Sequence, residues 1–398
     1  MSQVENIKSL VASLQEGGGR GRHIAGAAFI LWLVPSIGVL VKYTGMIGLV
    51  LSALVAVMAI AAFTAHLLRH DPDASYRWLI GAGGLTVLMF AVLYPLAHSG
   101  LFGPGSDRDD ALNVAVRALM ALQDPYSVTS FLGNVPTPMP GALFLALPFY
   151  LIGNSAFQNI FWVVAFFWWA SRRFEKTTPA LWLGLIFIVG CPASLRDLVT
   201  GGDYLVNALY VSIAIDLLFC SLREEQRAYR FATAIFLSFA ISSRPIYALA
   251  VPVLAGTIVQ YAGWRSLLGF LVVIGLGCGL LIGPIYLYDP DHFPTAHIAM
   301  KVANMPSWLH AWLVLPAIGA FIGCLSFFIP MNRARIFGLM ALTLLPVLYV
   351  AVIYRTTTSV LGAVSMTDYL LPVSIFGAIW LTEAFAVCRN RLHPSAAR

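Results

Sequence analysis

The sequence predicts an all-α polytopic membrane protein with about twelve (11–13) transmembrane helices, on three observations. Hydrophobic residues fill 59% of the 398 positions and charged ones only 11%, where a soluble domain carries about 25% charged side chains. The apolar residues fall into many separate runs near the ~20 residues that a helix needs to cross ~30 Å of hydrocarbon. The cations are sorted between alternate connections, as membrane insertion sorts them.

Hydropathy and helix breakers place spans near 24–42, 45–68, 78–98, 141–170, 179–193, 203–221, 230–243, 245–261, 265–288, 308–329, 335–354 and 368–388. With the N-terminus cytoplasmic, 17 of the 24 basic residues fall on the cytoplasmic side, among them Arg172, Arg173, Arg333 and Arg389. That asymmetry explains the net charge of +6 as topology, so no nucleic-acid partner is expected.

Residues 1–23 form a cytoplasmic amphipathic segment with Val4, Ile7, Leu10, Val11 and Leu14 on one face, suited to the membrane surface. One transmembrane domain follows over 24–388, and 389–398 is a cytoplasmic tail. The 141–170 run is too long for one straight crossing and is interrupted at Gly153-Asn154, which reads as one broken or re-entrant crossing. Five cysteines stand singly without a CxxC pair, so neither a disulfide framework nor a cysteine zinc site is expected. No internal repeat is evident. Asp216 and Glu383, near the cytoplasmic ends of their spans, read as helix–helix polar contacts.

Chemistry concentrates in the outer loops 99–140, 289–307 and 355–367. The first opens on Ser106-Asp107-Arg108-Asp109-Asp110 and runs into an amphipathic helix with Leu112, Ala115, Val116, Leu119 and Met120 on one face. Ser106 and Asp109 match a capping box, and acidic residues suit a helix start. Three aspartates exceed what capping requires. The alternative is that Asp107, Asp109 or Asp110 faces an interfacial cavity and takes a proton from an acceptor hydroxyl. The loop closes on Asn134-Val135-Pro136-Thr137-Pro138-Met139-Pro140, either a rigid junction or the wall of a substrate groove.

Further polar residues lie on the same side. Arg196-Asp197 and Gly201-Gly202-Asp203-Tyr204 flank one connection, and Ser242-Ser243-Arg244-Pro245 forms another. Arg244, between two apolar runs, needs either an aspartate partner or a phosphate, which its guanidinium fits bidentately. In Asp289-Pro290-Asp291-His292, with His297 and Lys301 beyond, the histidines and an aspartate either bind metal or belong to a solvated loop, and the spacing matches no specific metal motif. Arg355 and Asp368 read as mutually neutralising.

The pattern Ser106-Asp107, Ala115-Val116-Arg117-Ala118-Leu119, Asp124-Pro125-Tyr126 and a proline-rich turn before Leu143–Pro148 resembles the polyprenyl-phosphate-sugar-dependent glycosyltransferases of the membrane-embedded GT-C superfamily, nearest their bacterial mannosyltransferase-like branch. Three spans precede the loop here, where the family usually has one, and Arg244-Pro245 stands where it often has Lys-Pro. The resemblance implies inverting transfer of a sugar from a polyprenyl-phosphate carrier to a lipid or glycan acceptor. Asp107 would be the general base, with Asp109 and Asp110 as competitors. Arg244, with Lys301 or Arg196, would hold the lipid phosphate, and Tyr126, His292 and Arg355 complete the candidate substrate site. The basic-residue asymmetry puts both termini in the cytoplasm, and the small loops and bacterial-looking composition point to a bacterial plasma membrane with the active site facing the periplasm or exterior. No cofactor is expected and no metal is indicated. The competing class is a transporter or lipid flippase, which would carry polar groups into the bilayer midplane.

Overall fold

A computed structural model describes residues 2–69, 75–101, 106–174, 176–224, 226–305, 307–310, 313–356 and 367–392, with side chains from residue 20 onward except those of 308, 309 and 354–356. The apolar face expected in residues 1–19, the Arg355 side chain, most of loop 355–367 and the tail beyond 392 lie outside the described residues.

The described residues are mostly helical and contain no strand. The helices are α1 (Ser2–Arg69), α2 (Tyr76–Ala97), α3 (Arg108–Met120), α4 (Pro140–Leu151), α5 (Phe157–Arg173), α6 (Thr177–Leu183), α7 (Pro192–Val199) and α8 (Tyr204–Arg223). After these come α9 (Arg227–Ile241), α10 (Ala250–Tyr288), α11 (Pro294–Ala303), α12 (Ser307–His310), α13 (Val314–Cys324), α14 (Arg333–Thr356) and α15 (Leu371–Leu392).

Among the described residues, six helical stretches are long and apolar enough to cross a membrane: Arg20–Arg69, Tyr76–Ala97, Tyr204–Arg223, Pro245–Tyr288, Arg333–Ile353 and Thr367–Leu392. The number is seven if the pair Thr177–Val189 and Pro192–Val199, bent by 66°, counts as one. The two longest stretches are broken at Gly45 (φ 68°) and Gly263 (φ 78°), left-handed positions that suit glycine. Both breaks fall where hydropathy ends one run and begins the next.

Burial separates the centre from the lipid-facing rim. In α8, 83% of the most apolar stretch is buried, against 6% of that in α1. Around α8, Trp182 stacks on Phe385 at 5.1 Å and Trp162 meets Tyr210 at 5.4 Å. Met46, Ile47, Leu54 and Met58 of α1, and Leu276 and Leu280 of α10, are exposed. Bare apolar faces of this extent suit a hydrocarbon solvent.

Three local features position the polar end. The 141–170 run is two helices, and α4, with 12 residues, is ~18 Å long, short of a full crossing. The break between them is tied down by Asn113 Nδ2, which donates to Asn154 Oδ1 (3.1 Å), and by Asn154 Nδ2, which donates to Tyr94 Oη (2.8 Å). Beyond α6, a π-helical turn over Gly184–Val189 leads to the bend at Pro192. There Trp32 Nε1 donates to the Gly190 carbonyl (2.8 Å) and Ser194 Oγ to that of Phe187 (2.6 Å), which aims α7 and its Arg196-Asp197 at the polar end. Lastly, Gly141 lies directly against the α9 backbone, since a Cβ there would stand 2.2 Å from the Phe239 carbonyl oxygen.

At the opposite end, Asp216 accepts from Trp169 Nε1 (2.9 Å) and pairs with Arg173 (3.3 Å) and Arg333 (3.1 Å), while Glu383 pairs with Arg173. These are the helix–helix polar contacts expected of Asp216 and Glu383, joining α5, α8, α14 and α15.

Candidate active site

The three aspartates at the start of α3 have three different environments. Asp107 is the N-cap residue but makes no side-chain cap bond. Its carboxylate accepts from Ser130 Oγ (2.5 Å) and Asn134 Nδ2 (2.7 Å) in the following loop. Asp109 is buried, accepting from Tyr94 Oη (2.5 Å) with His98 Nε2 at 3.3 Å. Asp110 accepts the Phe131 backbone N–H (2.8 Å). The Ser106–Asp109 capping box is therefore not formed, because Asp109 turns inward to the α2 tyrosine. The apolar face is narrower than the spacing predicts: Leu112, Ala115 and Val116 are buried, whereas Met120 is 51% exposed.

Beside them runs a chain of ion pairs. Arg108 donates through Nη1 to Asp197 (2.6 Å) and through Nη2 to Asp368 (2.7 Å), and Arg196 donates to Asp368 (2.8 Å). Arg244 donates to Asp203 (2.5 Å) and to Thr137 Oγ1 (3.2 Å). The guanidinium centres of Arg108 and Arg244 each stand 4.8 Å from the Tyr204 ring centroid, within cation–π reach. Burial alone would raise the Asp203 carboxyl, but Arg244 outweighs it and holds Asp203 below the usual carboxylate range. Burial would likewise lower the Arg108 and Arg244 guanidinium groups, and the carboxylates beside them reverse the direction, so both are held firmly charged.

Next to this lattice lies a cavity of about 570 Å³. Asp107, Lys42, Arg108 and Arg196 line it together with apolar groups that include Val39, Leu93, Leu96, Leu132 and Leu195. Asp107 alone of the three aspartates reaches it. Arg244 borders a different, smaller cavity of about 320 Å³ between α9 and α10. A second 570 Å³ cavity, lined by Arg20, Arg173, Arg333 and Arg391, sits at the opposite end, away from the acidic loop.

The remaining sequence candidates are spread out. Tyr126 is fully buried; its hydroxyl donates to the Pro138 carbonyl (3.0 Å) and its ring meets Phe293 edge-on at 5.3 Å, a packing role. Burial pushes its phenol well above the usual range. His292 pairs with Asp289 (2.8 Å), a bond that raises the imidazole and lowers the carboxyl. Asp124 of the first loop joins these two, while His297 stays apart. Lys301 lies on α11 and does not border the Asp107 cavity. Asp368, expected to neutralise Arg355, is bound by Arg108 and Arg196, and its pairing with Arg355 falls outside the described side chains.

Sequence reasoning did not single out Lys42 and Arg108 as site residues. A signal existed: both belong to the few cations expected on the outer side, where topology alone does not favour them. No family model, no curated protein and no solved structure matches the chain.

Proposed function

We propose that the chain is an inverting glycosyltransferase that moves a sugar from a polyprenyl-phosphate carrier to a lipid or glycan acceptor, with Asp107 as general base. One observation carries this reading: a carboxylate and three cations share a cavity whose other walls are mostly apolar. That combination matches the chemistry of a lipid phosphate, whose headgroup needs cations and whose chain needs hydrocarbon.

In the proposed step the acceptor hydroxyl gives its proton to Asp107 as its oxygen bonds to the anomeric carbon. The bond from that carbon to the phosphate oxygen breaks, and the electron pair leaves with the phosphate. A single displacement inverts the centre. Arg196, Arg108 and Lys42 stabilise the phosphate as its charge grows, which is where a preorganised charge lowers the barrier. Ser130 and Asn134 orient the Asp107 carboxylate. Arg244, paired to Asp203, supports the site from behind Tyr204.

Counting α2, α8, α14 and α15 once each, both halves of α1 and of α10, the bent pair α6–α7, and the shorter elements α4–α5, α9 and α13 gives the proposed twelve crossings. Positive-inside sorting places the acidic end outside a bacterial plasma membrane and both termini in the cytoplasm. Transport is the second reading, and along α5 the two polar networks are separated by the apolar run from Ile160 to Trp168.

The test is transfer of label from a panel of radiolabelled polyprenyl-phosphate sugars by the purified chain in lipid, with acceptor extract. Turnover of at least one donor is expected. Failure with every donor, alongside substrate-dependent flux in sealed vesicles, would replace the reading with transport.

A further inference from the structure

We infer that Asp124, Asp289 and His292 form a divalent-cation site of the class filled by Zn²⁺, tying the first polar loop to the segment after α10. The inference rests on the juxtaposition of three side chains and stands whether or not the chain is a transferase.

One ligand atom from each of the three residues can be chosen so that all lie within 4.8 Å of one another. Tetrahedral ligands at ~2.1 Å from zinc stand ~3.4 Å apart, so a modest side-chain adjustment brings them to bonding distance. His292 is able to adjust, its side chain being 57% exposed.

The buried member points to a missing partner. Asp124 is 5% exposed; its Oδ1 accepts the Tyr126 N–H (3.1 Å), while its Oδ2 is buried with no hydrogen-bond partner. A carboxylate oxygen in that position is costly unless a cation or donor meets it. On the other side of the gap, Asp289 Oδ1 accepts the N–H groups of Asp291 (3.2 Å) and His292 (3.3 Å), and Asp289 Oδ2 faces His292 Nδ1 at 2.8 Å. The His292–Asp289 bond holds a proton between two groups that a metal would bridge.

The frame is already in place. The edge contact of Tyr126 with Phe293, and the Tyr126 bond to Pro138, fix the loop against the α10–α11 connection without any ion. One imidazole with two carboxylates suits Zn²⁺ or a similar transition metal, whereas Mg²⁺ and Ca²⁺ favour oxygen ligands. Three protein ligands also leave a coordination position open to water or to a phosphate.

The experiment is calorimetric titration of the chelator-stripped, full-length protein in lipid nanodiscs with Zn²⁺ alone and with Mg²⁺ alone. One Zn²⁺ per chain is expected, bound far more tightly than Mg²⁺. Asp124→Asn and His292→Ala should each weaken Zn²⁺ binding by more than about 100-fold, the upper end of what losing an outer-shell partner costs, while His297→Ala should leave it unchanged. Since His292 is exposed, its variant decides the matter even if Asp124→Asn folds poorly. Absence of Zn²⁺ binding in the wild type, or undiminished affinity in His292→Ala, overturns the site. Equal affinity for Mg²⁺ overturns the assigned class.

Discussion

Neighbouring carboxylates in one short run can have unlike chemistry, because each meets a different element. Asp109 is locked against Tyr94, Asp110 caps a backbone N–H, and Asp107 faces the cavity. Arg244 is as tightly fixed: its partner Asp203 is buried one residue before a span. Arg244→Met should therefore cost about 3–5 kcal/mol, the usual result of leaving one member of a buried pair uncompensated, read as a fall in unfolding temperature in detergent. Replacing both, as Arg244→Met with Asp203→Leu, should recover much of that loss. Asp203 has its carboxyl held low in the fold, so its contribution is fully present above the unfolded value of about 3.9 and fades as pH falls through the lower folded value. An acid series should show the wild type losing this increment as pH falls below about 4, and the Arg244→Met variant lacking the step; equal acid profiles would show that the pair contributes nothing. Asp107 and Arg196 were legible in the sequence as polar groups at the outer ends of apolar runs. The double pairing of Arg108 was not, since its partners lie 89 and 260 positions away.

The helices show what local pattern can and cannot decide. The apolar spacing of α3 found Leu112, Ala115 and Val116 correctly, because one helix face against a core is a local property. The capping box failed because a tertiary donor, Tyr94, competed for Asp109. The breaks at Gly45 and Gly263 were legible from interrupted hydropathy, whereas the 66° bend at Pro192 depends on Trp32 and Ser194 holding freed carbonyls. The turn between α7 and α8 is the tightest joint of the site. Gly201 has φ +65°, and a Cβ there would stand 2.5 Å from the Asp109 Cβ. Gly201→Ala should destabilise the protein by about 1–3 kcal/mol, as overpacked sites do, and should loosen Asp109 from Tyr94. Thermal unfolding that matches the wild type would mean that the turn does not constrain Asp109.

Taken across the whole chain, the charges divide into an acidic and mixed lattice at one end and an arginine-rich network at the other, with an apolar core between. The two-ended arrangement was legible because membrane insertion writes it into the sequence, while the cavity was not, because it is assembled from α1, α2, α3, α7 and the first loop. The proposed orientation predicts that an impermeant maleimide labels Leu122→Cys, at a position 88% exposed near the acidic end, in intact cells. It should reach Arg391→Cys only after permeabilisation; the reverse pattern would invert the topology. The central claim, that Asp107 takes the acceptor proton, is tested most directly by sugar transfer from the polyprenyl-phosphate donor that the wild type uses, compared with Asp107→Asn in the same lipid. Asp107→Asn should give a folded protein whose turnover falls by about 10²–10⁴-fold, the contribution of a positioned base, with donor binding retained. Wild-type turnover in the folded Asp107→Asn protein would contradict that claim.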